Sequence, residues 1–245
     1  MRNYFSRVVV ILFSQLIFVG NISSAQERIK LSEPNDYIIS GASISLFFGG
    51  NYFYRNKTPL TETEINSLSI SNINSFDRRA TANYSHSAEK ASDVMLVSSI
   101  ALPAILLADK EIRKDFGSVS IVYIQTTFLA GAEIQFVKGL LDRARPFVYN
   151  PSAPMSEKRK ADANASFFSG HTAMTASAAA FTATVYSIYY PDSKALPYLY
   201  ISAAAIPITT GYLRYKAGKH FPTDIAAGLI VGIANGFLMA SLHRN

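Results

Sequence analysis

The sequence has 245 residues, of which 49% are hydrophobic and only 16% are charged, whereas an average soluble domain has about 25% charged residues. This composition excludes a disordered chain, and despite a net charge of +6 it argues against a nucleic-acid-binding protein. The chain has no cysteine and four histidines. Disulfides, thiolate metal sites and a cysteine nucleophile are therefore excluded, and a histidine-rich metal centre is not expected.

The N-terminus has the features of an export signal, over residues 1–25. Two arginines precede the apolar stretch 8–19, and the small residues Ser23 and Ala25 lie where a signal is cleaved. The apolar stretch is shorter than the about 20 residues that a membrane span needs. We therefore expect a cleaved signal, with a retained membrane anchor as the alternative. In either case the remaining chain would begin outside the cytoplasm.

Six apolar stretches with few charges follow the signal. None of them alternates like a β-strand over more than a few residues, and stretches of this length indicate helices. The stretches are 37–54, 94–108, 118–137, 172–190, 196–213 and 225–242. We therefore predict an all-α helical bundle. Its predicted divisions are the export signal (1–25), an N-terminal helix with a polar loop region (26–91) and a helical core (92–245).

The scarcity of charge favours helices in a membrane over a soluble bundle. Residues 172–190 and 196–213 contain no charged side chain, whereas an exposed helix of a soluble protein has a charged face. Small residues are frequent in both stretches and suit close helix packing. The sequence therefore predicts about five to six membrane-embedded helices. A soluble bundle with the same composition is the alternative.

Charged and polar residues lie at the predicted helix ends that share one side of the bundle. Because consecutive membrane helices run in opposite directions, the ends of the third and fifth helices meet the starts of the fourth and sixth. The residues that converge there are Lys138, Arg145, Ser169, Gly170, His171, Arg214, His220 and Asp224.

This group of residues suits a multiply charged anion such as phosphate. Lys138, Arg145 and Arg214 supply positive charge, and arginine matches pairs of phosphate oxygens. Ser169 and Gly170, at the start of a helix, would offer free backbone N–H groups and the positive end of the helix dipole. The pattern predicts a phosphate-binding site.

Two histidines in this group can carry the chemistry. Asp224 follows His220 by four residues, so the two side chains can share a helix face. Asp224 can then fix the tautomer of His220 and leave one ring nitrogen free as a nucleophile. His171 remains as a general acid for the leaving oxygen.

These residues follow the three motifs of the type 2 phosphatidic acid phosphatase (PAP2) superfamily, which the sequence resembles. The motifs are K-x6-R-P, P-S-G-H and S-R-x5-H-x3-D. They correspond here to Lys138–Pro146, Phe168–His171 and Leu213–Asp224. The resemblance implies a helical bundle that hydrolyses a phosphomonoester or pyrophosphate through a phosphohistidine, without a metal or another cofactor.

The resemblance also implies a role for each matching residue. His220 would attack phosphorus, Asp224 would orient it, and His171 would protonate the leaving group. The phosphate oxygens would be bound by Lys138, Arg145, Ser169, Gly170 and Arg214. Phe168 replaces the usual proline and Leu213 the usual serine. These two departures affect the rigidity of a loop and one hydroxyl contact, so they concern substrate affinity and not the reaction.

The loop 109–115 sets the expected orientation. It carries three basic residues, and the positive-inside rule places such a short loop in the cytoplasm. The next helix then brings Lys138 to the outer face, so we expect a bacterial cell membrane protein with its active site facing the periplasm. This requires that residues 37–54 do not cross the membrane, which their glycines favour. If they do cross, the site faces the cytoplasm.

Three classes of function fit the sequence. A membrane phosphatase that acts on a lipid phosphate or pyrophosphate, with membrane lipids around it, fits best. The second is a soluble periplasmic acid phosphatase with small substrates. The third is a non-enzymatic anion-binding or transport protein, which would not need the His220–Asp224 pair. We expect no nucleic-acid partner, and the sequence does not indicate an oligomeric state.

Several polar residues match none of the motif positions. His86 and His243 are expected to be exposed to solvent. Asp77 is expected on a solvated face or at the membrane interface. Arg143 lies at a variable position within the first motif and receives no role.

Overall fold

The structure is a computed structural model that describes residues 28–32 and 34–245. Six long helices coincide with the six apolar stretches. They are α1 (Asn35–Arg55), α2 (His86–Ile100), α3 (Phe116–Leu140), α4 (Gly170–Tyr189), α5 (Leu196–Lys216) and α6 (Pro222–Leu242). The part of the chain described contains no strand, only two isolated β-bridges. The prediction of an all-α bundle is confirmed, whereas the predicted export signal lies outside the described residues.

Short helices occupy the connectors between these six. The 3-10 helix Leu102–Ala108 continues α2. The other short α-helices are Glu62–Ser67, Ser75–Arg78, Lys110–Lys114 and Met155–Lys158, and the other 3-10 helices are Ile70–Asn72, Arg79–Ala82, Pro146–Tyr149 and Ala161–Asn164. The start of α2 lies earlier than the predicted residue 94. Its first turns are polar, and the Ser85 side chain caps it by accepting a hydrogen bond from the Ala88 N–H.

The central helix of the bundle is α4, which packs against α2, α3, α5 and α6. Most of its residues are buried by these neighbours. The absence of charge in this helix therefore reflects contact with protein, although the sequence analysis attributed it to lipid. The α5 helix, which is equally free of charge over 196–213, does have an exposed apolar face that includes Tyr198 and Ile201.

Three glycines bring α6 into close contact with α4. Gly228, Gly232 and Gly236 recur every four residues and so lie on one face of α6. A Cβ atom added at Gly232 would lie 2.1 Å from the carbonyl oxygen of Ala173, and one at Gly236 would lie 2.2 Å from that of Ser177. Only glycine allows the two backbones to approach this closely.

The first helix runs parallel to α3. Near their starts, the Gln125 side-chain amide donates to the Ser40 hydroxyl at 2.9 Å, and near their ends Gly139 lies against Phe53. The helix is continuous over 21 residues, or about 31 Å, which matches the about 30 Å of a bilayer core. Residues 37–54 therefore form a full-length helix, and Gly50 packs against Phe136 instead of breaking it.

Much of the surface around the bundle is apolar. Two helical segments, His86–Ala108 and Pro222–Leu242, are long and apolar enough to cross a membrane, and only 22% and 33% of their apolar windows are buried inside the protein. Large apolar side chains are exposed on every long helix except α4. Examples are Phe48, Val97, Ile124, Ile201 and Phe237. Apolar exposure on this scale indicates association with a membrane.

The two ends of the described chain meet at the end of the bundle where α1 and α3 begin. Ile29 and Arg244 form an antiparallel bridge. His243 lies beneath this bridge, and its Nε2 atom is 2.6 Å from Oδ1 of Asp36. The expectation that His243 is exposed is wrong, because the returning N-terminal segment covers it. His86 is exposed, as expected.

Candidate active site

The structure brings all eight predicted site residues to the other end of the bundle. Lys138 lies in the last turn of α3 and Arg145 in the loop that follows. Ser169, Gly170 and His171 form the start of α4, Arg214 lies in the last turn of α5, and His220 and Asp224 flank the start of α6. The backbone N–H of Ser169 donates to the Asp224 carbonyl oxygen at 3.0 Å. This contact joins the second motif to the third.

The three predicted phosphate-binding cations are almost completely buried. Lys138 donates through Nζ to the Ala165 carbonyl oxygen at 2.7 Å, and Arg145 donates through Nε to the Asp162 carbonyl oxygen at 2.8 Å. The buried Nε of Arg214 has no hydrogen-bond partner. Arg145 also pairs with Asp162 at 3.5 Å and Arg214 with Asp93 at 3.4 Å, but these carboxylates are 43% and 54% exposed. Part of the positive charge of the three buried cations is therefore left uncompensated. The cluster is therefore suited to binding an anion.

The start of α4 lies directly against α3. The Ser169 side chain caps α4 by accepting from the Thr172 N–H. A Cβ atom on Gly170 would lie 2.9 Å from Cγ2 of Ile134 and 3.6 Å from Cε of Lys138. Glycine at this position therefore brings the free N–H groups of the helix start next to the lysine, which forms an anion-binding geometry.

His220 is buried and its ring orientation is fixed. Its Nδ1 atom lies 2.7 Å from the Ser166 carbonyl oxygen and 3.7 Å from Oδ2 of Asp224. A carbonyl oxygen only accepts hydrogen bonds, so Nδ1 carries the proton and Nε2 has a free lone pair. The nearer partner of the ring is thus a backbone carbonyl, where sequence reasoning expected Asp224 itself.

The surroundings of His220 favour its neutral form. Burial lowers the pKa of this imidazole well below its usual range, and the positive charges of Lys138, Arg145 and Arg214 lower it further, with a contribution from His171. An unprotonated imidazole at neutral pH is what a histidine nucleophile requires.

Asp224 holds the segments on both sides of His220. Its Oδ2 atom accepts hydrogen bonds from the Ser166 hydroxyl at 2.6 Å and from the Phe221 N–H at 2.9 Å. Ser166 supplies the carbonyl oxygen that binds the His220 imidazole, and Phe221 directly follows His220 in the chain. The carboxylate can therefore orient His220 through its neighbours.

His171 has a more open environment than His220. Its Nε2 atom lies 2.8 Å from Oδ1 of Asp93, and its side chain is 24% exposed. The same carboxylate oxygen lies 3.4 Å from Nη1 of Arg214. Sequence reasoning missed Asp93, because it matches no motif and precedes the predicted helix 94–108.

Arg143 and Asp77 are two further residues that sequence reasoning did not place here. Arg143 pairs with Asp224 through Nη1 and with Asp77 through Nη2 at 2.8 Å. The expectation that Asp77 is solvated is wrong, because Asp77 is 0% exposed. The only indication in the sequence was a second arginine two residues before Arg145.

The loop before α4 is restrained although the motif's usual proline is absent. Phe168 is fully buried and packs with Val137 and Ala173. Packing of this side chain therefore holds the loop in place. Among the described residues, no group of three or more His, Cys, Asp or Glu side chains is placed to bind a metal ion.

The PAP2 superfamily model matches residues 119–245, just over half of the chain. The chain belongs to the PAP2 superfamily. It is a phosphatase of the PAP2 type. A similar solved structure is a transmembrane PAP2 type phosphatidylglycerolphosphate phosphatase from Bacillus subtilis, with 20% sequence identity, a TM-score of 0.30 and coverage of 82% of this chain and 92% of that one. Comparison with curated proteins found no match.

Proposed function

We propose that this PAP2 protein hydrolyses a phosphomonoester or pyrophosphate of a membrane lipid, without a metal ion, through a phosphohistidine at His220. The observation that carries the proposal is the environment of His220. Its Nδ1 is bound to a carbonyl oxygen, and three buried cations, Lys138, Arg145 and Arg214, lie around it. A neutral nucleophile beside an excess of positive charge suits attack on a phosphoryl group.

The proposed reaction has two steps. In the first, Nε2 of His220 forms a bond to phosphorus while the bond from phosphorus to the leaving oxygen breaks, and His171 gives that oxygen a proton. In the second, water attacks phosphorus, His171 accepts a proton from the water, and the bond between phosphorus and nitrogen breaks to release phosphate. The three cations stabilise the charge on the equatorial oxygens in both steps.

A lipid substrate fits the surroundings of His171. This side chain contacts Asp93 of α2, and the residues that follow on α2 include the exposed apolar Val94 and Val97. The leaving-group side of the site therefore adjoins an apolar surface that a bilayer would cover. A lipid could place its phosphate at the cations while its chains stay in the membrane.

The parallel arrangement of α1 and α3 bears on the proposed orientation of the bundle. Arg28 forms an ion pair with Glu111 at 3.1 Å, so the start of the described chain and the loop 109–115 lie at the same end. The basic residues of that loop favour the cytoplasm, which gives a site that faces the periplasm. If α1 crosses the membrane, residues 28–32 then lie in the cytoplasm. In that case a cleaved export signal and a periplasmic site exclude each other.

The test is phosphate release by the purified protein. The panel contains phosphatidic acid, phosphatidylglycerol phosphate, undecaprenyl pyrophosphate and a soluble monoester, each with EDTA and then with vanadate. We expect release from a lipid substrate in EDTA, and inhibition by vanadate, which imitates the trigonal-bipyramidal transition state. Loss of activity in EDTA that a divalent ion restores would contradict metal independence. Preference for the soluble monoester would favour an acid phosphatase.

A further inference from the structure

The side chain of Arg143 bridges two buried carboxylates close to His220. Nη1 of Arg143 pairs with Oδ1 of Asp224, and Nη2 of Arg143 donates to Oδ2 of Asp77 at 2.8 Å. Both aspartate side chains are 0% exposed, whereas that of Arg143 is 28% exposed. The guanidinium thus connects the polar region before α2 to the start of α6.

Asp77 also binds the first turn of α6 directly. Its Oδ1 accepts from the Thr223 N–H at 3.0 Å, and its Oδ2 accepts from the Thr223 hydroxyl at 2.6 Å. The first residue of α6, Pro222, has no N–H, and Asp224 binds the N–H of Phe221. Asp77 therefore caps this helix from a distant segment. The side-chain amide of Asn74, the residue that caps the short helix Ser75–Arg78, donates to Oδ2 of Asp77 at 2.8 Å.

The residue between His220 and Pro222 is held by the same arginine. The guanidinium carbon of Arg143 lies 4.4 Å from the centroid of the Phe221 ring, a distance at which a cation is attracted to the ring face. Arg143 and Asp77 together therefore contact Phe221, Thr223 and Asp224, the residues that directly follow the imidazole.

We propose that Asp77 and Arg143 are a positioning pair that sets the direction of the His220 imidazole by fixing Asp224 and the first turn of α6. Neither residue belongs to the phosphate-binding group. The inference rests on the proposed function and adds to it that the polar region before α2 is part of the catalytic machinery.

The need for an arginine follows from charge and shape. Without Arg143, the buried carboxylate of Asp224 would lose its ion-pair partner and keep only its hydrogen bonds to Ser166 and Phe221, which is costly in a protein interior. Two carboxylates on opposite sides require a donor that reaches both at once. The planar guanidinium binds both carboxylates through different nitrogens, whereas the compact ammonium of a lysine would pair with only one of the two.

The first experiment compares turnover in four variants. Arg143→Gln, Arg143→Lys and Asp77→Asn each remove the bridge, whereas Arg79→Gln removes the charge of an exposed arginine in the same segment. For the three bridge variants we expect kcat to fall about 10- to 100-fold, the range typical of groups that hold a ligand from behind. KM should change little, because the phosphate-binding cations are intact. Arg79→Gln should match the wild type.

The second experiment measures binding and does not depend on turnover. Vanadate needs the His220 nitrogen as its apical ligand, whereas inorganic phosphate needs only the cations. In the bridge variants we expect the dissociation constant of vanadate to rise about tenfold or more, while that of inorganic phosphate stays the same. Calorimetry on the detergent-solubilised full chain gives both constants.

The outcomes separate this inference from the proposed function. Wild-type kcat and vanadate affinity in Arg143→Gln and Asp77→Asn would overturn it. Parallel loss of vanadate and phosphate affinity would also overturn it, because it would show general damage to the site. If the wild-type protein binds vanadate but hydrolyses nothing in the panel, the proposed function fails. The binding comparison then still decides whether the pair positions His220.

Discussion

The partners of the two active-site histidines differ. His220 binds the Ser166 carbonyl oxygen, which favours a neutral ring because a carbonyl carries no charge. Nε2 of His171 instead lies 2.8 Å from the carboxylate of Asp93, and its side chain is 24% exposed. A buried neutral histidine suits a nucleophile, and a more exposed histidine beside a carboxylate can exchange protons as a general acid and base. The geometry therefore supports the proposed division of roles.

Substitution of each histidine should separate these roles. His220→Ala should abolish turnover and any trapped phosphoenzyme, because no nucleophile remains. His171→Ala should impair hydrolysis of an alkyl phosphate, whose leaving alkoxide needs a proton, by about 10²- to 10⁴-fold. It should affect a nitrophenyl ester less, because that group leaves without a proton. Stopped assays, and labelling quenched in alkaline detergent, where the phosphorus–nitrogen bond of a phosphohistidine is stable, give the comparison with both esters.

Two results would contradict the assignment of the histidines. One is a phosphoenzyme that still forms in His220→Ala. The other is an equal loss on both esters in His171→Ala. His86→Ala serves as the control. The His86 side chain is 59% exposed, so its substitution should leave both activities unchanged.

The pH dependence of kcat/KM should reflect the environment of His220. Burial and the nearby cations lower its pKa below the usual 6.5, and the nucleophile must be unprotonated. Activity should therefore persist as the pH falls below 6.5 and decline only when His220 gains a proton. The pH profile of kcat/KM in the free enzyme reports this directly.

A charge variant tests the cause of this shift. Lys138→Gln removes a positive neighbour, so the pKa of His220 should rise and the acid limb of kcat/KM should move to higher pH. Lys160→Gln, in an exposed loop, should leave the limb in place. An acid limb at 6.5 or above in the wild type would contradict the argument.

Residues in the motifs could be predicted from sequence, and their supporting partners could not. Motif spacing predicts that Lys138, His171 and His220 lie together, and the structure brings them to one end of the bundle. Asp77 binds Thr223 across a separation of 146 residues, and Asp93 binds His171 across 78. Contacts between residues so far apart in the sequence depend on how the chain folds, and no local sequence pattern predicts them.

At the scale of helices, the contact between α4 and α6 depends on glycine. Gly232→Ala should destabilise the protein by about 1–3 kcal/mol, because its Cβ atom would lie 2.1 Å from the Ala173 carbonyl oxygen. Gly41→Ala is the matched control, since it is also helical and has nothing within 4 Å of its added Cβ. Thermal unfolding in detergent should show a lower Tm for the first variant alone. Equal Tm values would contradict the close packing.

The helices themselves were predictable because each contains a long apolar stretch with few charges. Two details were not. The start of α2 was missed, since the polar residues from His86 to Asp93 read as a loop until the Ser85 cap is seen. The charge-free α4 was read as lipid-facing, because hydropathy does not distinguish burial in lipid from burial in protein.

At the scale of the whole molecule, the proposed orientation can be tested by labelling. The chain has no cysteine, so single cysteines can be introduced without a background. Lys160→Cys lies in the exposed loop before α4, at the site end, and Lys194→Cys lies in the loop after α4, at the other end. On intact cells a membrane-impermeant maleimide should label the first, and should label the second only after lysis.

The reverse labelling pattern would place the active site in the cytoplasm and would agree with a cleaved export signal. Labelling of both positions on intact cells would show that the bundle does not cross the membrane. Sequence alone left this question open, because it turns on whether residues 37–54 form a full-length helix parallel to α3.

The pairing of residues 28–30 with residues 243–245 has a consequence for the order of assembly. Arg28 and Asn245 exchange two backbone hydrogen bonds, at 2.9 and 3.0 Å, and His243 binds Asp36 in the first turns of α1. During synthesis, α1 and α3 are complete long before residues 243–245 leave the ribosome. The contacts of Arg28 and Asp36 with residues 243–245 therefore form only after those residues have been translated, so this end of the bundle closes late in assembly.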